Sequence, residues 1–438
     1  MMTMGRENPA LWVSVPRTMR WAMKCAKPTV CGVPLKATRT KIGALVMGLF
    51  LAGDGLAQGP VLITQTPSVP VVVGAERTAV YLPLLHGQRV AVVTNQTGMI
   101  GSTHLVDSLV ALKVKVTKVF APEHGFRGDA DAGAHVKDQR DLRTGLPIIS
   151  LYGKNKKPTT AQLADVDVLL FDIQDVGVRF YTYISTLHYV MEAAQEGGKK
   201  VIVLDRPNPN GFYVDGPLLD KAYASFVGMH PVPLVHGMTI GEYARMINGE
   251  GWLKSARKCD LTVIECTNYD HRHFYQLPVK PSPNLPNTSS VYLYPSLGLF
   301  EGTVVSVGRG TDRPFQCIGY PGNNVGQYHF TPESSPGATN PPYKGKECVG
   351  IDLQAYGGFQ SRMEKRIRLH WLIGFYREAA DKPSFFNSFF DKLVGGSDLR
   401  ERIVRGEDED TIRASWQPGL QAFMKVRQKY LLYDDFVP

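Results

Sequence analysis

The chain has 438 residues, 43% of them hydrophobic and 20% charged, so it can bury a sizeable core and is too long for one ordinary domain. Its formal charge of +9 does not point to a nucleic-acid partner: residues 1–57 hold eight basic and two acidic residues, leaving 41 basic against 38 acidic, or +3, for the remainder. Its 43 Gly and 30 Pro are spread along the sequence, with no repeat or low-complexity tract, and read as turns in a loop-rich globular protein.

Residues 1–57 read as an export presequence. Lys36, Arg39 and Lys41 precede an apolar run over 42–53, and Gly55-Leu56-Ala57 supplies a small-residue cleavage site. The run is too short to anchor stably in a bilayer; a buried core helix is the alternative. The roughly forty residues ahead of it are long for an n-region and point to a translation start downstream of Met1. No Cys follows the run, which argues against a lipid anchor. The mature chain is therefore expected outside the cytoplasm, in the periplasm or secreted, with no membrane anchor. Cys25 and Cys31 fall in the presequence, whereas Cys259, Cys266, Cys317 and Cys348 lack C-x-x-C spacing; one or two disulfides stay open.

From Gln88 onward, short β-branched runs alternate with helical stretches, the pattern of a parallel sheet covered by helices on both faces. Strands are expected at 89–94, 116–121, 147–151, 168–172, 201–205 and 261–265, and helices near 103–112, 160–164, 182–196 and 239–247. This is a Rossmann-like α/β domain over residues 58–276. The Pro-rich stretch 277–286 cannot be helix interior and marks a boundary. Beyond it a smaller mixed α/β domain is expected over 277–438, with a strand at 292–300 and helices at 361–380 and 410–427.

Ligands of open parallel sheets bind outside the carboxyl ends of the strands, and here those ends are unusually polar. They carry Asn95-Gln96-Thr97-Gly98, Pro122-Glu123-His124-Gly125-Phe126-Arg127-Gly128, the run from Ile173 to Tyr181, and Arg206-Pro207-Asn208-Pro209-Asn210-Gly211. Glu123, in a Gly-bounded loop, suits a partly desolvated general acid; the alternative is a surface carboxylate paired with Arg127. His124 reads as supporting scaffold. Asp172 and Asp175 can orient water, hold sugar hydroxyls or pair with Arg179, and Asp175 can instead cap a helix. Arg179, Arg206 and Arg309 are fork-shaped donors for a substrate carboxylate or interior ion-pair partners. Tyr152, Tyr181, Tyr183 and Phe126 are sugar-stacking candidates or core. Asn95, Gln96, His124, Arg127, Gln174 and Asn208 complete the expected binding set.

Asp129-Ala130-Asp131 and Asp270-His271-Arg272-His273 lack the remaining ligand spacing of metal sites and read as solvated loops. No G-x-G-x-x-G follows a strand, and neither G-x-x-x-x-G-K-[ST] nor G-x-S-x-G occurs. The sheet thus implies no dinucleotide, the chain no nucleotide phosphate site and no serine nucleophile elbow, and no cofactor or metal is expected. Carboxylate chemistry remains.

The runs 121–128 (APEHGFRG) and 171–183 (FDIQDVGVRFYTY) closely resemble the bacterial exo-β-N-acetylmuramidase family known as NamZ. Further matches in the same order are 92–98, 205–209, 281–286, Glu301-Gly302-Thr303 and Gly308-Arg309-Gly310-Thr311, so the resemblance covers nearly the whole mature chain; the long presequence departs from it. The resemblance implies a Rossmann-like catalytic domain, a smaller auxiliary domain, and release of non-reducing terminal N-acetylmuramic acid from peptidoglycan fragments such as MurNAc-GlcNAc, with Glu123 as the catalytic Glu of the P-E-H-G motif. On that view Glu123 protonates the glycosidic oxygen while Asp172 or Asp175 activates water or the substrate's acetamido group assists. One of Arg179, Arg206 or Arg309 then holds the lactyl carboxylate. The rivals are a non-catalytic periplasmic muropeptide receptor and an esterase or amidase, the latter disfavoured by the missing serine elbow and metal pattern.

Overall fold

Every residue of the run Val90–Thr94 (β1) is buried, as expected of a strand covered on both faces, where apolar β-branched side chains pack on each side. It sits at the centre of a seven-stranded sheet in a computed structural model that describes residues 69–127, 139–255 and 257–436. The presequence and Asp129-Ala130-Asp131 lie outside those residues. After a small hairpin of Met99–Ile100 (β2) and Thr103–His104 (β3) come Val116–Ala121 (β4), Gln139–Arg140 (β5), Pro147–Ser150 (β6), Val168–Asp172 (β7), Lys200–Leu204 (β8) and Asp260–Ile264 (β9). The sheet order is β5-β6-β4-β1-β7-β8-β9, parallel from β6 to β9 with β5 an antiparallel edge. All six expected strands form within one residue of their expected limits.

The order reverses between β1 and β7. Helix α1 (Thr78–Leu85) precedes β1, from which the chain crosses through helix α2 (Leu105–Ala111) to β4 on one side; from β7 it crosses through α3 (Tyr183–Gly197) to β8 on the other, and α4 (Ile240–Gly249) lies between β8 and β9. The two following loops diverge there and open a crevice at the carboxyl edge. Gly177 belongs to this edge: its φ is +77°, and a Cβ would stand 2.3 Å from the Asn208 side chain. The loop after β7 therefore needs glycine at that point.

Three expected elements differ. Residues 160–165 form hydrogen-bonded turns instead of a helix, since one bond from Leu163 N to Thr159 O closes a single turn and so short a stretch does not repay helix nucleation. The expected strand at 292–300 is helix α5, Thr288–Leu297, followed by a 3₁₀ turn. Asn287 starts it by accepting a hydrogen bond from Ser290 N, and because Ser290–Leu297 is buried all round, no polar face betrays a helical period. The single helix expected at 361–380 is two, Gln354–Glu364 (α6) and His370–Glu378 (α7), interrupted at Lys365 with φ +49°. Beside these lie a three-stranded antiparallel sheet (Cys317–Tyr320, Tyr328–Phe330 and Cys348–Asp352) and Glu409–Arg427, the long helix expected at 410–427.

One cluster of buried side chains runs from Ala91 and Phe171 in the sheet through Val291 and Leu297 of α5 to Trp416 and Phe423. The chain end also returns to the parallel sheet. Tyr433 donates its hydroxyl to Asp205 at 2.6 Å, and Leu432 N donates to Glu242 at 2.9 Å. His271, expected in a solvated loop, is instead buried and bonded to Glu242 at 3.0 Å, because two buried acidic groups there need partners. All four cysteines in the described residues are buried free thiols. No helix among the described residues is long and apolar enough to cross a membrane.

Candidate active site

The P-E-H-G turn at the end of β4 aims Glu123 into the crevice. Gly125 N closes the turn on Pro122 O at 3.1 Å, with His124 and Gly125 both at positive φ, 68° and 75°. A non-glycine residue held there stores strain that its surroundings must hold; the buried His124 ring does so, its Nε2 lying 3.3 Å from Ser282 Oγ. The Glu123 carboxylate accepts a 3.1 Å hydrogen bond from Thr182 Oγ1, and Thr182 is the N-cap of α3, so the start of that helix fixes the carboxyl group's position. The Tyr152 hydroxyl also bonds to Glu123; burial first, then that carboxylate's charge, pushes the phenol pKa well up, so it stays a donor.

Glu123 and His124 share one small cavity with Phe180, Tyr181, Thr182, Tyr183, Ser282, Asn284, Leu285, Tyr294, Arg309 and Phe315. The Pro-rich stretch forms one wall. Its Pro281 carbonyl accepts from Tyr181 OH at 2.7 Å and Gln96 Nε2 at 3.2 Å. Asn95 acts behind the wall, donating to Tyr183 OH at 2.9 Å and accepting from Thr97. Arg309 Nε and Nη2 lie 2.8 and 2.7 Å from Glu301 Oε1, and its guanidinium stands 5.0 Å from the Phe315 ring centre. Burial opposes the charge on Arg309, but Glu301, Tyr294 and Glu123 outweigh it and raise its pKa.

The other expected site residues are engaged elsewhere. Asp172 and Arg206 form a buried bidentate pair at 2.6 and 2.9 Å, and Arg206 also donates to Met99 O. Arg179 is fully buried and spends its donors on the carbonyls of Pro217, Val232, Leu393 and Val394; burial pushes its pKa down to about 9. Arg127 pairs with Asp141 at 3.0 Å and stacks on Phe126, not with Glu123 as one reading had it. Gln174 donates to Asp175 O and Pro207 O, and Asn208 to Met238 O. Thr182, Ser282, Asn284, Tyr294, Phe315 and Glu301 were not singled out as site residues. Ser282 and Asn284 offered a signal, being polar side chains inside a Pro-rich stretch.

Asp175 is enclosed beneath the cavity. Full burial pushes its carboxyl up to about 7, only partly offset by the Gly177 and Val176 N–H groups. His236 Nε2 is 3.8 Å away, and burial, with Arg427, Arg179 and His271 adding, lowers that imidazole to about 3. The folded-state value of Asp175 lies above its ordinary 3.8, so the fold holds a proton that the unfolded chain releases. This contribution to stability is complete below about pH 4 and is lost as pH rises through about 7. Asp175→Asn should flatten the stability profile across that window in thermal denaturation, and an unchanged slope contradicts the assignment.

The chain matches known proteins over most of its length. Residues 90–289 match the model for the N-terminal part of exo-β-N-acetylmuramidase NamZ, and residues 292–433 the C-terminal part. Peptidoglycan β-N-acetylmuramidase NamZ of Bacillus subtilis (strain 168) is 40% identical over 421 residues, covering 90% of this chain and 100% of that protein. Two DUF1343 family proteins of Bacteroides fragilis NCTC 9343 have similar crystal structures. They are 47% and 31% identical, with TM-scores of 0.78 and 0.69, each alignment covering 84% of this chain and 100% of the other. The chain belongs to the exo-β-N-acetylmuramidase NamZ family.

Proposed function

We propose that the protein is an exo-acting glycoside hydrolase that releases N-acetylmuramic acid from the non-reducing ends of peptidoglycan fragments, with MurNAc-GlcNAc as its minimal substrate and Glu123 as general acid. Family membership supports the reaction class. The observation that carries the site is the Glu123 carboxyl, fixed by Thr182 and Tyr152 in a small aromatic-walled cavity at the point where the strand order reverses.

The carboxylates around it favour one route. Among the described residues Glu123 is the one carboxylate lining the cavity; Asp172 is neutralised by Arg206, and Asp175 is enclosed. Among the described residues a protein nucleophile or second base is therefore not at hand, and the substrate's own 2-acetamido group is the fitting internal nucleophile. Glu123 gives its proton to the glycosidic oxygen as the bond to C1 breaks, and the acetamido oxygen bonds to C1 to form an oxazolinium ion. Water then adds to C1 as the Glu123 carboxylate takes a proton from it, opening the ring and restoring the acid. Two displacements at C1 retain configuration. Proton NMR of MurNAc-GlcNAc cleavage should show the β-anomer of N-acetylmuramic acid first; the α-anomer first overturns this route, and internal fragments or no release overturn the function.

A further inference from the structure

We infer that Arg309 binds the lactyl carboxylate of the terminal N-acetylmuramic acid and thereby separates this sugar from N-acetylglucosamine, an inference that rests on the function proposed above for the same cavity. Four arginines stand on the loops in question, and three are spent. Arg127 faces Asp141, Arg179 is enclosed by main-chain carbonyls, and Arg206 is locked to Asp172. Arg309 is the one of the four that lines the cavity with Glu123.

Its fork is only half committed. Nε and Nη2 both go to a single carboxylate oxygen of Glu301, whereas Nη1 is buried and makes no hydrogen bond. A buried N–H without an acceptor loses its hydration and gains nothing in exchange, and a ligand oxygen restores the missing bond. The acceptor that suits a guanidinium edge best is an anionic carboxylate, through a charge-assisted bond. N-acetylmuramic acid differs from N-acetylglucosamine by one such group, the lactyl ether on O3. Glu301 and Phe315 act as positioning residues: Glu301 holds one edge of the guanidinium and the Phe315 ring packs near it, so that Nη1 keeps its direction before substrate arrives.

Isothermal titration calorimetry with N-acetylmuramic acid, its lactyl methyl ester and N-acetylglucosamine tests this, since none has a glycosidic bond to cleave. The parent should bind the acid more tightly than either neutral sugar. Arg309→Gln should weaken the acid ~10- to 100-fold, the range for a lost hydrogen bond to a charged group, and leave the neutral sugars unchanged. Glu301→Gln should weaken the acid by less and leave N-acetylglucosamine alone, which general loosening of the cavity would not do. If Arg309→Gln does not fold with Glu301 left unpaired, the double variant Arg309→Gln/Glu301→Gln removes both charges and carries the same expectation. Equal binding of acid and ester by the parent overturns the assignment, as does an acid preference that survives in folded Arg309 variants. Retained preference in a parent that turns over no MurNAc-GlcNAc supports the assignment while overturning the hydrolase reading.

Discussion

Glu123→Gln is expected to lower kcat on MurNAc-GlcNAc by ~10²- to 10⁴-fold, the usual contribution of a positioned general acid or base, with KM little changed. Gln keeps the length and the oxygen that accepts from Thr182 Oγ1, bonded at 3.1 Å in the parent, so the cavity should keep its shape while losing its proton. The loss should shrink on the 4-nitrophenyl glycoside, because a nitrophenolate leaves without protonation and only the water-activation step still needs the carboxylate. A folded Glu123→Gln protein that cleaves the disaccharide within about threefold of the parent rate removes Glu123 from the chemistry.

The largest stability effect is expected at the Asp172–Arg206 pair. Asp172 is 0% and Arg206 3% exposed, and the two share hydrogen bonds of 2.6 and 2.9 Å beneath the crevice. Removing one partner strands a charge in the interior, so Asp172→Asn or Arg206→Met should each cost about 3–5 kcal/mol in urea denaturation. The double variant should cost less than the two single losses together, since it leaves no orphan charge. Losses under about 1 kcal/mol for each single variant would mean that water reaches the pair and that it does not behave as an interior one.

This contrast explains what could be read from the residues. The parallel strands announced themselves because runs such as Val90–Thr94 are apolar on both faces; the strand-end rule then offered Glu123 either as a desolvated acid or as a partner of Arg127, and the motif resemblance favoured the first. The arginines were opaque: Arg179, Arg206 and Arg309 have the same chemistry, and only their partners, from distant segments, separate a carbonyl-bound cation, an ion pair and a half-committed fork. Helix α5 was opaque for another reason, since burial on all sides erases the periodicity from which a helix is recognised. The Pro-rich stretch was readable as a non-helical segment, but nothing local told that its Ser282, Asn284 and Leu285 would line the cavity beside Glu123, with Pro281 O accepting from Tyr181 and Gln96.

The return of residues 432 and 433 to the parallel sheet has a consequence for the order of assembly. Asp205 and Glu242 stand on the sheet's own segments, yet Tyr433 and Leu432, which donate to them, lie 228 and 190 positions further along the chain. Until that distant segment docks, both acids lack these donors. Closing so long a loop costs entropy before any contact repays it, so docking of this segment is expected to complete folding and not to start it.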